Sequence, residues 1–314
     1  MRALAFIFFA VGALDAWALL DARAVLRRSN RRLSTNFAQL KLTACVPSCG
    51  GSDFFGNSVA IDGDTIVVGA HGAGTGGAAY VLRTSDGGAT YDEVAKLTAS
   101  DAASSDRFGY SVAIDGNTIV VGAYRKGSWT GAAYVFRTTD GGATYVELAK
   151  LTAADAASGD SFGYSVAVAG DTVVVGTYSK EAVYVFLTTD GGATYAQVAK
   201  LTASNAASGD NFGKSVAIDG NTIVVGAYAG GMYSSGWGAA YVFRTTDDGA
   251  TYDQVAKLTA DDGAAYDRFG SSVAIDGGTI VVGAARDDDG GSKSGSVYSS
   301  ARATAAPRTA WSPS

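Results

Sequence analysis

The chain has 314 residues, with 24 Lys and Arg against 30 Asp and Glu and a formal net charge of −6. That acidic balance excludes nucleic acid as a partner, since nucleic-acid binding needs a basic footprint. Gly at 42 and Pro at only 3 fit a protein of tight turns rather than a disordered low-complexity tract, and a single His leaves no nucleophile–base pair for an enzyme.

Met1 and Arg2 precede an apolar run, residues 3–14, that Asp15 interrupts before it reaches a bilayer-spanning length. Ala16-Trp17-Ala18 then offers small residues at the −3 and −1 positions of a cleavage site. Residues 1–18 therefore predict a signal peptide, with an uncleaved anchor held by Arg27, Arg28, Arg31 and Arg32 as the alternative; either way the protein is expected to be secreted or at the cell surface. Residues 19–36 read as a basic linker. Residues 1–33 hold six Arg against Asp15 and Asp21, net +4, which leaves −10 for the remainder. Cys45 and Cys49 flank a Pro turn and predict a local disulfide in an oxidising compartment; a metal site would need more ligands than the one His, His71, supplies.

From residue 54 onward one phrase recurs. Phe55-Gly56, Phe108-Gly109, Phe162-Gly163, Phe212-Gly213 and Phe269-Gly270 follow each other at steps of 53, 54, 50 and 57 residues. Such a period marks an array whose units bury their apolar faces only against neighbours. In the second unit, Tyr110-Ser111-Val112-Ala113-Ile114 alternates like a strand, and Asp115-Gly116-Asn117 is a hairpin turn. Thr118-Ile119-Val120-Val121 is a β-branched run expected to be covered on both faces. Ala132-Ala133-Tyr134-Val135-Phe136 is a third strand, Asp140-Gly141-Gly142 a second turn, and residues 145–152 a fourth strand. Four short antiparallel strands per unit, repeated about an axis, predict an all-β fold, a β-propeller.

These phrases resemble the FG-GAP repeat of integrin α-chain propellers and their microbial and algal relatives, over residues 37–298, with repeats starting near 54, 107, 161, 211 and 268. The resemblance implies a binding or adhesion module rather than an enzyme. The proline of the family's Gly-Ala-Pro is absent throughout. The calcium loop of the family is absent too, because a turn such as Asp62-Gly63-Asp64 cannot build a six- to eight-oxygen cage. No cofactor is expected. The turns Thr84 to Tyr91, Thr138 to Tyr145, Thr188 to Tyr195 and Thr245 to Tyr252 resemble the Asp-box hairpin of sialidases, which implies a structural role for Asp86, Asp140, Asp190 and Asp247.

Residues 37–44, Phe37-Ala38-Gln39-Leu40-Lys41-Leu42-Thr43-Ala44, copy a fourth strand that has no first three, while the last unit stops at Ser296-Val297-Tyr298 without a fourth. Five blades closed by this N-terminal strand are the expectation; the alternative is an open or incomplete seven-bladed ring. Residues 299–314 match nothing in the repeats and read as a disordered tail.

Loops between second and third strands carry most of the variation among repeats and share a face with the loops joining successive blades. Trp129 and Trp237, outside the repeat pattern, and Tyr233 are candidate ligand contacts. Tyr124, Tyr178 and Tyr228 recur one per blade, so packing between blades competes with ligand binding for them. Aromatics with polar handles suit a protein or carbohydrate ligand. The same face collects Asp residues and looks acidic; Asp287, Asp288 and Asp289 are candidates for a weak calcium site. A self-associating wall or matrix protein and a propeller glycosidase or lyase are the alternatives in other classes, the last lacking a carboxylate pair among Glu93, Glu147 and Glu181. Membrane contact is expected only through an N-terminal anchor.

Overall fold

The structure, a computed structural model, describes residues 40–43, 52–205, 209–228 and 237–301. Five antiparallel sheets follow one another in chain order. Blade one comprises β1 (Ser58–Asp62), β2 (Thr65–Ala70), β3 (Ala78–Arg83) and β4 (Asp92–Leu97). Blade two comprises β5 (Ser111–Asp115), β6 (Thr118–Ala123), β7 (Ala132–Arg137) and β8 (Val146–Leu151). Blade three comprises β9 (Ser165–Ala169), β10 (Thr172–Gly176), β11 (Val183–Leu187) and β12 (Ala196–Leu201). Blade four comprises β13 (Phe212–Asp219), β14 (Thr222–Ala227), β15 (Ala239–Arg244) and β16 (Asp253–Leu258). Blade five has three strands, β17 (Phe269–Asp276), β18 (Thr279–Ala284) and β19 (Ser296–Ala301).

Burial follows the residue pattern. The β-branched strand β6 is buried along its whole length, because neighbouring blades cover both of its faces. The fourth strand β8 alternates between exposed and half-buried positions before ending on buried Leu151, as a strand at the outer rim should. First strands of consecutive blades, β1, β5, β9, β13 and β17, meet one another and form the inner side of the array.

The repeated Phe-Gly explains itself at the blade interface. Phe108 is fully buried and meets Tyr134 and Phe136 edge-on at 5.5 and 5.9 Å, within a core shared by Val67 and Val81 of blade one and Val112 and Ile119 of blade two. Gly109 has φ +86°, and a Cβ there would lie 2.1 Å from the Ala78 carbonyl oxygen of blade one. Only glycine permits that approach. Serine hydroxyls add a polar link: Ser111, Ser165 and Ser215 donate to the carbonyls of Gly163, Gly213 and Gly270 in the next blade at 2.9, 2.6 and 2.9 Å.

The turns between third and fourth strands are closed by their aspartates. Asp140 Oδ1 accepts from the Thr144 N–H at 2.9 Å and from the Thr138 hydroxyl at 2.7 Å. Asp86, Asp190 and Asp247 accept from the corresponding threonines. Tyr145, Tyr195 and Tyr252 at the ends of these turns pack on the core shared with the preceding blade.

Two expectations are corrected. Residues 40–43 carry no strand and lie against blade one, lining a groove with Leu82, Tyr91 and Glu93 rather than pairing with β19. The ring is not closed by this segment, and among the described residues β19 has an open edge. A fourth-strand sequence is built to pack on the blade that follows it in the chain. Glu147 of blade two, the counterpart of Glu93, accepts from the Ser100 N–H just after β4 at 2.8 Å. The rest of the predicted closing strand, residues 37–39 and 44, lies outside the described residues. Secondly, β19 continues to Ala301, three residues into the predicted tail, because pairing with β18 out to Thr279 supplies the backbone partners that Ser299 and Ser300 do not signal.

Candidate ligand-binding face

Two positions per repeat supply the cluster on the inner side of the array: the residue after Phe-Gly and the second residue after the glycine that follows the β-branched run of the second strand. The first is Asn57, Tyr110, Tyr164, Lys214 or Ser271; the second is His71, Tyr124, Tyr178, Tyr228 or Ala285. In β13 and β17 the ladder skips here, since Phe212 pairs with Ala227 and Ser215 with Gly226, leaving Gly213 and Lys214 as an inserted pair. Such a bulge re-aims a side chain. The result is one continuous cluster. Tyr110 meets His71 at 5.5 Å, Tyr124 at 4.4 Å and Tyr164 at 4.9 Å; Tyr164 meets Tyr178 at 5.0 Å.

Lys214 completes it. Its Nζ stands 3.7 Å from the centroid of Tyr178 and 4.6 Å from that of Tyr228, and donates to the Tyr228 hydroxyl at 2.6 Å. The residue is only 8% exposed, and this burial, with Arg268 nearby, lowers its pKa from 10.5 to about 8. Burial also raises the hydroxyl of Tyr228 to about 12 and pushes Tyr110 and Tyr164 upward. His71 is lowered to about 4 by burial and by Arg107, so it is neutral and its Nδ1 accepts from the Arg107 guanidinium at 3.0 Å. Arg125 lies over Trp129 at 4.1 Å, and Arg268 over Tyr228 at 5.5 Å.

The predicted contacts divide accordingly. Tyr124, Tyr178 and Tyr228 join the inner cluster, with Tyr178 still 42% exposed. Trp129, 45% exposed, meets the edge of the cluster at Tyr124, 5.7 Å away, and Trp237 is 54% exposed; each is anchored through a backbone carbonyl that accepts an N–H from the next blade, Ser161 and Phe269 respectively. Tyr233, Cys45 and Cys49 lie outside the described residues. Asp287 is buried and accepts from the Tyr298 hydroxyl at 2.6 Å and from the Asp289 N–H at 3.1 Å, and the charges of Asp287 and Asp262 raise the Asp289 carboxyl. Among the described residues no group of three His, Cys, Asp or Glu side chains converges as a metal site.

The face is also less acidic than residue counts imply. Asp101 pairs with Lys126 and Lys150, and Asp155 with Lys180 and Lys200. Asp106, Asp160 and Asp267, each two residues before the Phe of Phe-Gly, accept from the N–H groups of Ala103, Ala157 and Ala264 and so hold their own loops. The contacts of the inner cluster itself are aromatic and cationic, while Asp262, Asp287 and Asp289 gather at blade five. Sequence reasoning missed Lys214, Arg107 and Arg268; the available signal was a lysine at the position that two preceding repeats give to tyrosine.

No curated protein matches the chain. The FG-GAP repeat family matches residues 38–82, 91–136, 145–196, 195–243 and 246–299, each span starting near the fourth-strand position of one unit and reaching at least the third strand of the next. Five matches in phase with five blades, with Phe-Gly buried at every interface and its glycine at the point of closest backbone approach, make this chain a member of the FG-GAP repeat family.

Proposed function

We propose that this protein is an exported or cell-surface adhesion module that takes a protein or glycan ligand through the loops between second and third strands. FG-GAP propellers are typically non-catalytic binding modules of extracellular or surface proteins and mediate protein interactions. The observation that carries the reading is the aromatic cluster, which runs from Tyr110 through Tyr178 to Tyr228 and adjoins the exposed ring of Trp129 through Tyr124. Loops on a rigid scaffold are where binding residues concentrate. The test is a glycan array together with a surface-protein panel, followed by Trp129→Ala and Trp237→Ala. Loss of the strongest hit in either variant supports the assignment, and retention in both removes it. A reporter fusion that stays cytosolic and unprocessed would remove export.

A second reading, self-association as a wall or matrix protein, is favoured by β19, whose Ser296-Val297-Tyr298-Ser299-Ser300-Ala301 has, among the described residues, no further strand beside it and neither charge nor proline to discourage pairing. Sedimentation that depends on protein concentration without any added ligand distinguishes it.

A further inference from the structure

We propose that the cationic centre of the inner cluster, Lys214 with Arg268 beside it, receives the carboxylate of an Asp or Glu side chain projecting from a protein partner. This rests on the binding-module reading and names the chemistry of its ligand.

Lys214 is the starting point. The other buried or half-buried lysines of this face, Lys126 and Lys180, are each paired with two aspartates. Lys214 is more deeply placed, yet among the described residues it forms no ion pair and its ammonium has one hydrogen bond, to the Tyr228 hydroxyl. An ammonium group has three donors, and among the described residues the other two meet only the rings of Tyr178 and Tyr228. A buried cation without an anion is a costly arrangement that a carboxylate would relieve. Glu181, whose charge reaches Lys214, forms no ion pair with it among the described residues; its Oε1 accepts from the Gly209 N–H.

Neighbouring groups repeat the pattern. Arg268 stands over the Tyr228 ring at 5.5 Å, and the charge of Arg286 also reaches the Tyr228 hydroxyl. On the blade-two side the Nε of Arg107 is buried with no hydrogen-bond partner among the described residues. Positive charge is therefore concentrated on the inner side of a protein whose overall charge is −6.

The shape of the charge pattern selects the ligand. The ammonium of Lys214 is a single buried charge rather than part of an exposed basic strip that a long polyanionic chain could follow. A lone carboxylate on a slim stem matches such a point charge, and that is an Asp or Glu side chain. The surround of Tyr, Trp and Arg is the composition of protein interfaces, where such residues form the anchors.

The experiment uses the full chain, labelled at lysine side chains for NMR, with capped tripeptides Gly-Glu-Gly and Gly-Asp-Gly as probes and Gly-Gln-Gly and a glucuronate disaccharide as comparisons. The expected result is a saturable shift of the Lys214 signals with an acidic peptide, and binding weaker by roughly tenfold or more with Gly-Gln-Gly or in Lys214→Met. Arg268→Gln, which leaves the buried lysine in place, should also weaken binding and decides the matter if Lys214→Met does not fold. Equal binding of the glutamine peptide, no saturable shift, or unchanged affinity in Arg268→Gln overturns the proposal. So does a glucuronate disaccharide that binds more tightly than either acidic peptide, which would identify the acceptor as an acidic-sugar site. A ligand lost in Trp129→Ala but kept in Lys214→Met sinks this inference and leaves the binding module standing; a ligand kept in both, and in Trp237→Ala, sinks both.

Discussion

The Asp62 carboxylate in the first turn of blade one accepts a hydrogen bond from the Gly116 N–H in the equivalent turn of blade two, at 2.7 Å. Asp115 does the same for Gly170, and Asp219 for Gly277. The series breaks once, at blade three, where Ala169 stands in place of the aspartate. Ala169→Asp should restore the link by accepting from the Gly220 N–H. A typical hydrogen bond contributes about 0.5–1.5 kcal/mol, and this exposed turn belongs at the low end. The gain corresponds to a rise in Tm of roughly 1–3 °C. Thermal unfolding checks it, with Ala169→Asn as a neutral comparison; no rise in Tm for the aspartate would show that the turn bonds follow from blade packing rather than support it.

Phe-Gly phenylalanines should differ in worth along the chain. Phe162 is fully buried between two blades, whereas Phe55 has no complete blade before it and is only half-buried. Phe162→Ala is expected to cost about 3–5 kcal/mol, as large-to-small changes in cores do. Phe55→Ala should cost clearly less. Chemical denaturation of the two variants compares them, and equal losses would mean that another segment covers Phe55 in solution.

How far the sequence foretold this structure depends on which residue is asked about. The strand pattern around Ile119 and Val121 could be read directly, because double-sided burial demands an unbroken β-branched run. The turn role of Asp140 was equally legible, since Thr138 and Thr144 stand at the spacings that its two oxygens bridge. Lys214 was not legible. Its inward direction comes from a skipped ladder position between Phe212 and Ser215, and alternation alone gives no sign of an inserted pair. The lysines that offset the acidity of the loop face in blades two and three were not legible for a related reason. The lysines that pair with Asp101 and Asp155 come from residues 25 to 49 positions away, brought together only by the blade.

Stability should change with pH through Lys214. Its folded pKa of about 8 lies below the ordinary 10.5, so between those values the unfolded chain holds more protons than the folded one. Stability from this group therefore rises with pH across that window, and its penalty is fully present below pH 8. Lys214→Met should be more stable than the wild type at neutral pH, with the difference shrinking as pH rises from about 8. The buried hydroxyls of Tyr110 and Tyr164, raised by desolvation, work in the opposite direction above their ordinary value of 10.0. Urea unfolding of both proteins across this range separates the two effects, and a constant difference would contradict the buried-charge assignment.

The acid side depends on the turn aspartates. Hydrogen bonds from the Thr194 hydroxyl and N–H, and from Thr188, lower Asp190 from 3.8 to about 2. A lowered carboxylate contributes stability above its unfolded value and loses it as pH falls toward the folded one. The contribution of Asp190 should thus fade between about pH 3.8 and 2. Asp190→Asn removes this titration, so circular dichroism should show a shallower loss of stability over that interval than in the wild type, while an identical slope would assign acid sensitivity elsewhere.

The inner cluster also alters how the five blades share their stability. Phe-Gly packing and the serine–glycine links reach only the adjacent blade, an arrangement that lets a linear array open one unit at a time from either end. Tyr110, Tyr164, Tyr178, Lys214 and Tyr228 form an unbroken line of contacts through blades two, three and four, and Arg268 carries it into blade five. A blade that leaves the end of the array has to break into this line as well. Each contact lies within a blade or between adjacent blades, so the line adds to every nearest-neighbour interface it crosses, makes fraying from an end less favourable, and should extend slow amide exchange from blade two into blade five.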